Sequence, residues 1–173
     1  MPLYEFEGHR PTVATGAFIA PEAVLIGDVT IEDGASVWPM AVLRADHAPI
    51  VVRAGANVQE GSVVHGPLPI EIGVDATIGH LCVVHGATLG EQALIGNGAT
   101  VLDGARIGRR AMVGAGALIP AGMEVPDEML AVGVPAKIKG PIAGTPAEFW
   151  VNANPAVYRD LAKRYLAGLK PIS

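Results

Sequence analysis

The chain has 173 residues and a formal net charge of -5, half of its residues are hydrophobic (50%), and it contains one cysteine. The length suits one compact folding unit, and the acidic balance offers no basic surface of the kind that binds nucleic acid or anionic membranes. No apolar run approaches the roughly 18 residues of a membrane span, and a single cysteine excludes an internal disulfide.

Residues 1–12 are predicted to form an extended lead-in that pairs with or covers the start of the repeat described next. The segment MPLYEFEGHRP lacks a basic stretch followed by an apolar core. We therefore expect no secretory signal and a cytoplasmic location. His9, which lies in this segment, is interpreted as a surface residue.

From about Val13 to Val125, aliphatic residues recur at every sixth position, a small residue usually follows four places later, and glycine often comes directly after the aliphatic residue. This is the hexapeptide pattern of a parallel β-helix, whereas the i, i+3, i+4, i+7 spacing of an amphipathic helix is absent. At about eighteen residues per coil, the segment predicts roughly six or seven coils. Cys82 occupies a small-residue place, which indicates buried packing rather than reactivity.

Two irregularities interrupt this rhythm, at residues 47–51 and 67–71. Insertions in a β-helix form loops on one face, often the functional one. Both lie close to the histidines considered next, so we expect the functional side of the molecule there.

Three of the five histidines have positions that the repeat defines. His65 and His85 each follow a core valine, and once two extra residues within 67–71 are allowed for, they fall on the same side of adjacent coils. Their side chains are then expected to project outward as neighbours. His80 is third in its six-residue unit and lies near a corner on the preceding side, so one protomer can hardly bring it to the other two.

A homotrimer could bring His80 of one subunit to His65 and His85 of another, because a threefold axis packs one side of each β-helix against a different side of its neighbour. Three imidazoles with one open position are the ligand set of a catalytic zinc site. We therefore expect a homotrimer that binds one Zn²⁺ (or Fe²⁺/Co²⁺) per subunit through His65, His85 and the His80 of a neighbour. The alternative for each histidine, an ordinary surface residue, stays open.

The C-terminal part differs in composition. Residues 126–146 are rich in proline and glycine and predict an extended linker leaving the coils. Asn154 is then expected to cap a helix that begins at Pro155 and ends near Leu169. The predicted organisation is a β-helix over residues 1–140, followed by a linker and a C-terminal α-helix packed on it over residues 141–173.

Three segments carry a resemblance to a known family: IGDVTIEDGASVWPMAVLRAD (26–46), GANVQEGSVVHG (55–66) and ATIGHLCVVHGATLGEQALIGNGATVLDGARIG (76–108). Over most of residues 1–140 the chain resembles the γ-class carbonic anhydrases. The resemblance implies an all-β, left-handed parallel β-helix and a trimer with a three-histidine metal site shared between subunits. It also implies a lyase activity, the reversible hydration of CO₂ to bicarbonate by a metal-bound hydroxide.

The resemblance also implies roles for individual residues. Gln59 matches the glutamine that orients the metal-bound water, and Asn57 matches an asparagine near the CO₂ pocket. Arg44 and Asp46 match an interfacial ion pair beside the metal, and Tyr158 matches a tyrosine brought to the pocket by the C-terminal helix. Each has a structural alternative: turn and surface ladders for Asn57 and Gln59, an interface bridge for Arg44 and Asp46, and helix packing for Tyr158.

The sequence departs from the most active family members in two places. The loop that carries their proton-shuttling glutamate corresponds here to the short PLPIE, in which Glu71 is the only carboxylate. Ala45 replaces the glycine of the family motif that corresponds to residues 44–46, and His47 directly follows that motif. Because rapid turnover requires proton transfer to bulk water, the resemblance predicts slow hydration.

Other functions remain open at this point. Hexapeptide acyltransferases share the repeat, bind a coenzyme A thioester between subunits and use one histidine as a general base. A metal-activated hydroxide could instead hydrolyse a coenzyme A thioester, and a non-catalytic binding trimer is the third possibility. The two enzymatic alternatives predict a small-molecule substrate, the third a bound ligand or partner, and none predicts a nucleic-acid or membrane partner.

Overall fold

A computed structural model describes residues 2–172 as a stack of short strands closed by one long helix. The strands are β1 (Leu3–Tyr4), β2 (Thr12–Val13), β3 (Phe18–Ile19), β4 (Val24–Ile31), β5 (Ser36–Val37), β6 (Val42–Val52), β7 (Asn57–Val58), β8 (Val63–His65), β9 (Ile70–Ile72), β10 (Thr77–Ile78), β11 (Val83–His85), β12 (Thr88–Leu89), β13 (Leu94–Ile95), β14 (Thr100–Val101), β15 (Arg106–Ile107), β16 (Met112–Val113), β17 (Leu118–Ile119), β18 (Glu124–Val125), β19 (Met129–Gly133) and β20 (Ala136–Pro141). The helix α1 spans Pro146–Gly168.

The six-residue rhythm produces these strands because each unit turns one large aliphatic side chain into the interior. Side chains of this kind are almost fully buried, and the largest are Leu25, Ile31, Leu43, Ile50, Ile70, Ile72, Ile78, Leu89, Ile95, Ile107 and Ile119. Cys82 lies among them, 1% exposed, so its predicted packing role is confirmed.

Strands one coil apart pair in parallel and build two ladders. An eight-stranded ladder runs in the order β20-β19-β16-β13-β10-β7-β5-β3, and a twelve-stranded sheet contains β17-β14-β11-β8-β6-β9-β12-β15-β18 together with β1, β2 and β4. The predicted fold class is confirmed: the chain is a left-handed parallel β-helix of about seven turns with one C-terminal helix.

The N-terminal segment closes the first coil, as expected. Strand β1 pairs with β4 at Leu25 and Ile26, and β2 pairs with the same strand at Thr30 and Ile31. These pairings cover backbone groups of β4 that would otherwise form an open sheet edge.

The predicted linker over residues 126–146 is wrong in its first part. Strand β19 continues the eight-stranded ladder by pairing with β16, and the chain then turns back so that β20 pairs antiparallel with β19. Proline and glycine suggested an irregular segment, but they lie where the hairpin turns and at its ends. The hairpin formed by β19 and β20 caps the C-terminal end of the coils.

The helix begins nine residues before the predicted start, at Pro146 rather than Pro155. Thr145 is the N-cap and accepts a hydrogen bond from the Ala147 N–H, and proline is well tolerated at the first helical position. Pro155 is buried inside the helix and cannot donate to the carbonyl of Val151. That carbonyl instead accepts a hydrogen bond of 3.1 Å from the side chain of Gln92 on the β-helix, which compensates the missing donor.

The helix packs back along the coils through an aromatic cluster. Trp38 lies 5.4 Å from Tyr158 and 5.0 Å from Tyr165 between ring centroids, and Phe18 lies 5.2 Å from Trp38. Arg159 forms an ion pair with Asp75 in the same region. These contacts place α1 over the first strands of the eight-stranded ladder. Within residues 2–172, α1 is too polar to span a membrane.

Candidate active site

His65 and His85 are neighbours on adjacent coils, as the repeat predicted. They form a register pair between β8 and β11, and their ring centroids are 5.2 Å apart with the planes inclined at 68°. Arg44 on β6 pairs with His65 in the next coil. The parallel ladder therefore aligns Arg44, His65 and His85 in one column on the twelve-stranded sheet.

Arg44 and Asp46 form an ion pair within this chain, and the pair is also linked to His65; its place at a subunit interface stays a prediction. The Arg44 guanidinium bonds one carboxylate oxygen of Asp46, and the other oxygen lies 2.9 Å from His65 Nε2. Desolvation alone would raise the pKa of Asp46, but the hydrogen bonds from His65 and Arg44 outweigh it and hold the pKa below its ordinary value. Asp46 is therefore ionised at neutral pH and fixes the orientation of the His65 ring.

His85 has a carboxylate partner of its own. Its Nδ1 lies 2.7 Å from Asp103 Oδ1, so Nδ1 carries the proton and Nε2 is left free. Gly86, at φ +58°, leaves room for this pair, because a Cβ at that position would lie 2.3 Å from the same Asp103 oxygen. A glycine after His85 is thus required by both the backbone conformation and the carboxylate.

His47 also lies beside the column. Its ring centroid is 6.0 Å from that of His65. In the described part of the chain, one group has three potential ligand atoms within 4.8 Å of each other, and it consists of Asp46, His47 and His65. Within one protomer, therefore, His47 rather than His80 is the histidine that approaches His65.

His80 lies in a cleft on a different face of the molecule. It follows β10 in the eight-stranded ladder, and α1 forms the opposite wall. The cleft, here called the His80 cleft, has a volume of about 370 Å³. It is lined by Gln59, His80, Leu94, Gly96, Asn97, Met112, Ala115, Trp150, Asn154 and Tyr158.

His80 is held by two neighbours. Its Nδ1 lies 2.7 Å from Glu60 Oε2, one coil away. Its backbone N–H donates to Asn97 Oδ1 at 3.2 Å. Because Nδ1 of His80 donates to the Glu60 carboxylate, Nε2 is the basic nitrogen of the ring. The Asn97 side chain accepts the His80 backbone hydrogen bond through its oxygen, so its amide N–H groups point away from the His80 backbone.

A buried polar chain connects the cleft to the interior. Gln59 Nε2 donates to Asn57 Oδ1 at 3.0 Å, and Asn57 Nδ2 donates to Thr77 Oγ1 at 2.9 Å. Asn57 is fully buried and Gln59 is 3% exposed. Gln59 therefore lines the cleft in a fixed orientation, whereas Asn57 acts behind it and does not line the cleft.

Tyr158 lies on the C-terminal helix and lines the His80 cleft together with Gln59, and its role in a metal pocket stays a prediction. Burial, together with the negative charge of Glu60, raises the pKa of Tyr158 to about 12. Its hydroxyl, protonated at neutral pH as in any tyrosine, can donate a hydrogen bond into the cleft. The edge-to-face packing on Trp38 shows that the alternative role, helix packing, is fulfilled by the same ring.

The structure thus divides the predicted site residues between two faces. Arg44, Asp46, His65 and His85 lie on the twelve-stranded sheet, and Gln59, His80 and Tyr158 line the His80 cleft. The carboxylates Glu60 and Asp103 were not predicted from the sequence. Their offsets were a usable signal, because Glu60 precedes His80 by 20 residues and Asp103 follows His85 by 18, in each case one coil.

Comparison with known proteins identifies relatives over nearly the whole chain. The family described as bacterial transferase hexapeptide (six repeats) matches residues 86–121. The chain is 37% identical to the carnitine operon protein CaiE of Escherichia coli O1:K1 / APEC over 98% of this chain and 87% of that protein.

Two solved structures are similar in both sequence and fold. A hexapeptide transferase family protein from Anaplasma phagocytophilum has a TM-score of 0.91 at 36% identity, covering 95% of this chain and 98% of that one. A Bacillus cereus protein named as a candidate acetyltransferase has a TM-score of 0.92 at 32% identity, covering 95% and 96%.

These relatives show that the predicted carbonic anhydrase activity is wrong. They are named as transferases or for a carnitine operon, so neither the lyase reaction nor CO₂ as substrate is supported. The error has a physical origin. The hexapeptide rhythm specifies the core and the position of each imidazole, but an imidazole serves equally as a metal ligand or as a general base.

Proposed function

The chain belongs to the family of hexapeptide-repeat transferases, and on that premise we propose that it transfers an acyl group from a coenzyme A thioester to a small acceptor in the His80 cleft. The observation that carries this proposal is the pair of His80 and Glu60, 2.7 Å apart, with the second ring nitrogen free. A histidine oriented by a carboxylate is the usual general base for activating a hydroxyl or amine.

The proposed reaction follows from the groups that line the cleft. His80 Nε2 removes the proton from the acceptor hydroxyl or amine, whose oxygen or nitrogen attacks the thioester carbonyl carbon. The tetrahedral intermediate then collapses, the carbon–sulfur bond breaks, and the imidazolium of His80 returns its proton to the coenzyme A thiolate. Glu60 stabilises the transient positive charge on the ring.

Two other side chains are suited to stabilise the negative charge that develops on the carbonyl oxygen. The hydroxyl of Tyr158 is protonated at neutral pH, as in any tyrosine, and burial moves its pKa further from that range, to about 12. The amide of Asn97 is held by its oxygen on the His80 backbone, so its N–H groups are available to the substrate. Hydrogen-bond donors fixed before the reaction are the main way such sites lower the barrier.

The acceptor is proposed to be a small hydroxyl- or amine-bearing molecule. The cleft volume of about 370 Å³ and its polar end at Gln59 and His80 fit a compact polar ligand. Because a similar protein is named for a carnitine operon, the hydroxyl of carnitine is the first acceptor to test.

A direct assay tests this proposal. Purified protein is mixed with acetyl-CoA or octanoyl-CoA, with and without L-carnitine, and release of the free thiol is followed. We expect acceptor-dependent release, with Glu60→Gln lowering kcat by about 10-fold or more because the base loses its orienting carboxylate. Thiol release that is equally fast without any acceptor would contradict transfer and favour hydrolysis.

The column of His65 and His85 favours a second candidate, metal-assisted hydrolysis of a thioester in a homotrimer. Each ring has one nitrogen on a carboxylate, Asp46 or Asp103, which is the usual support of a metal-binding histidine. These residues therefore fit a divalent ion, held by His65, His85 and the His80 of a neighbouring subunit. Such an ion, Zn²⁺ or Fe²⁺/Co²⁺ at one per subunit, would supply Lewis-acid activation of water.

Metal analysis separates the two candidates. The hydrolase candidate predicts about one divalent ion per subunit, lost in both His80→Ala and His85→Ala while the trimer persists in light scattering. Retention by His80→Ala combined with loss in His47→Ala would place the ion on Asp46, His47 and His65 instead. Full thiol-release activity after chelation would favour the metal-free transferase. Binding of thioester without turnover would indicate a non-catalytic trimer.

A further inference from the structure

A second cleft adjoins the His80 cleft along the helix. It has a volume of about 710 Å³ and lies between β16, the hairpin of β19 and β20, and the first turns of α1. Its lining consists of Met112, Gly114, Leu130, Val132, Lys139, Gly140, Pro141, Ala143, Thr145, Pro146, Ala147 and Trp150. Met112 and Trp150 also line the His80 cleft, so the two clefts form one continuous trough. We call this second part the apolar cleft.

The chemistry of the apolar cleft differs from that of the His80 cleft. Most of its lining atoms belong to hydrocarbon side chains or to backbone. Thr145 is engaged already, since its hydroxyl donates to the Ile142 carbonyl at 2.6 Å and accepts from the Ala147 N–H at 3.2 Å. Among the described residues that line the cleft, Lys139 is the one charged side chain. The cleft therefore suits a hydrocarbon group.

We propose that the apolar cleft holds the acyl chain of the donor, which makes a medium-chain acyl thioester, rather than acetyl-CoA, the preferred substrate. This inference rests on the acyl-transfer function proposed above. The trough would place the thioester carbonyl at the junction beside Trp150 and Met112, with His80 on one side and the chain on the other. The phosphates of coenzyme A need several cations or N–H donors, and the single Lys139 does not provide them.

Substitution of Ala143, which lines the apolar cleft, tests whether this cleft holds the acyl chain. Ala143 is exposed in the turn before α1, so a larger side chain there fills the cleft without disturbing the core. Ala143→Phe is compared with Ala167→Phe, an exposed alanine near the other end of the helix. Binding of octanoyl-CoA and acetyl-CoA is measured by calorimetry, and kcat/KM is measured for both thioesters. The two ligands differ only in the acyl chain.

We expect wild-type protein to favour octanoyl-CoA over acetyl-CoA by about 10-fold or more in both binding and kcat/KM, because each buried methylene adds to affinity. Ala143→Phe should remove most of that preference and change the acetyl-CoA values by no more than about twofold. Ala167→Phe should behave as wild type.

The possible failures are distinguishable. Equal values for the two thioesters, or a preference that survives Ala143→Phe, would overturn the acyl-chain assignment and leave the proposed transferase intact if acetyl-CoA is turned over. Loss of assembly in light scattering for Ala143→Phe alone would show that a second copy of the chain fills the cleft, which also overturns it. Chain-length-dependent binding without any turnover would instead contradict the proposed function and leave the chain-binding site standing.

Discussion

At the scale of single residues, each of three histidines has one ring nitrogen on a carboxylate: His65 on Asp46, His80 on Glu60 and His85 on Asp103. Such a bond selects the tautomer and leaves the other nitrogen for chemistry. His80 differs from the other two because its free nitrogen belongs to a ring that lines a cleft with a tyrosine and three amides. This difference is why we assign the reaction to His80.

The buried amide of Asn57 supports that cleft from behind. Replacing it by alanine leaves Gln59 Nε2 without its acceptor and Thr77 Oγ1 without its donor, in a region closed to water. We predict that Asn57→Ala lowers the free energy of unfolding by about 1–3 kcal/mol. Urea denaturation checks this value. Thr77→Val, which removes only one of the two bonds, is the matched control and should cost less.

At the scale of elements, ionic ladders connect successive coils. Arg53 binds Glu32 at 2.7 Å on one side and Glu71 at 2.9 Å on the other, which joins the ends of β4 and β6 to the middle of β9. The hydrogen bond from Arg53 outweighs desolvation and holds the pKa of Glu32 below its ordinary value of 4.5. A carboxyl whose pKa is lower in the folded state stabilises the fold above its unfolded pKa, and this stabilisation is lost as pH falls through the folded pKa.

The pH dependence of stability follows from that ladder. We predict that wild-type protein loses stability as the pH falls below about 4.5, and that Glu32→Gln flattens this part of the profile because the neutral amide does not titrate. Thermal unfolding between about pH 3 and pH 6 measures it. Glu22→Gln, at an exposed site, is the control. Parallel profiles for wild type and Glu32→Gln would show that Glu32 contributes nothing to acid sensitivity.

The start of the C-terminal helix could not be predicted from local sequence preferences. Asn154-Pro155 is a good helix start by propensity, and yet the helix begins at Pro146 and continues through Pro155. It can do so because Gln92 satisfies the Val151 carbonyl from 59 residues away. A contact of that range depends on the folded coils, so no local pattern in residues 126–160 predicts it.

At the scale of the whole molecule, the repeat predicted most of the fold. It placed the buried aliphatic residues, the parallel ladders and the register of His65 with His85 correctly, since each follows from the period alone. It did not predict the hairpin of β19 and β20 or the two clefts, because these depend on how α1 packs against the coils. The reaction was also mispredicted, since one β-helix carries imidazoles suited to several chemistries.

The role of His80 is tested most directly by the rate of thiol release from octanoyl-CoA in the presence of L-carnitine or another acceptor, for wild type, His80→Ala and His9→Ala. Because His80 is the proposed general base, we expect His80→Ala to lower kcat by about 10²–10⁴-fold and the exposed His9→Ala to leave it unchanged. A His80→Ala protein that keeps wild-type kcat would show that the reaction does not depend on the His80 cleft.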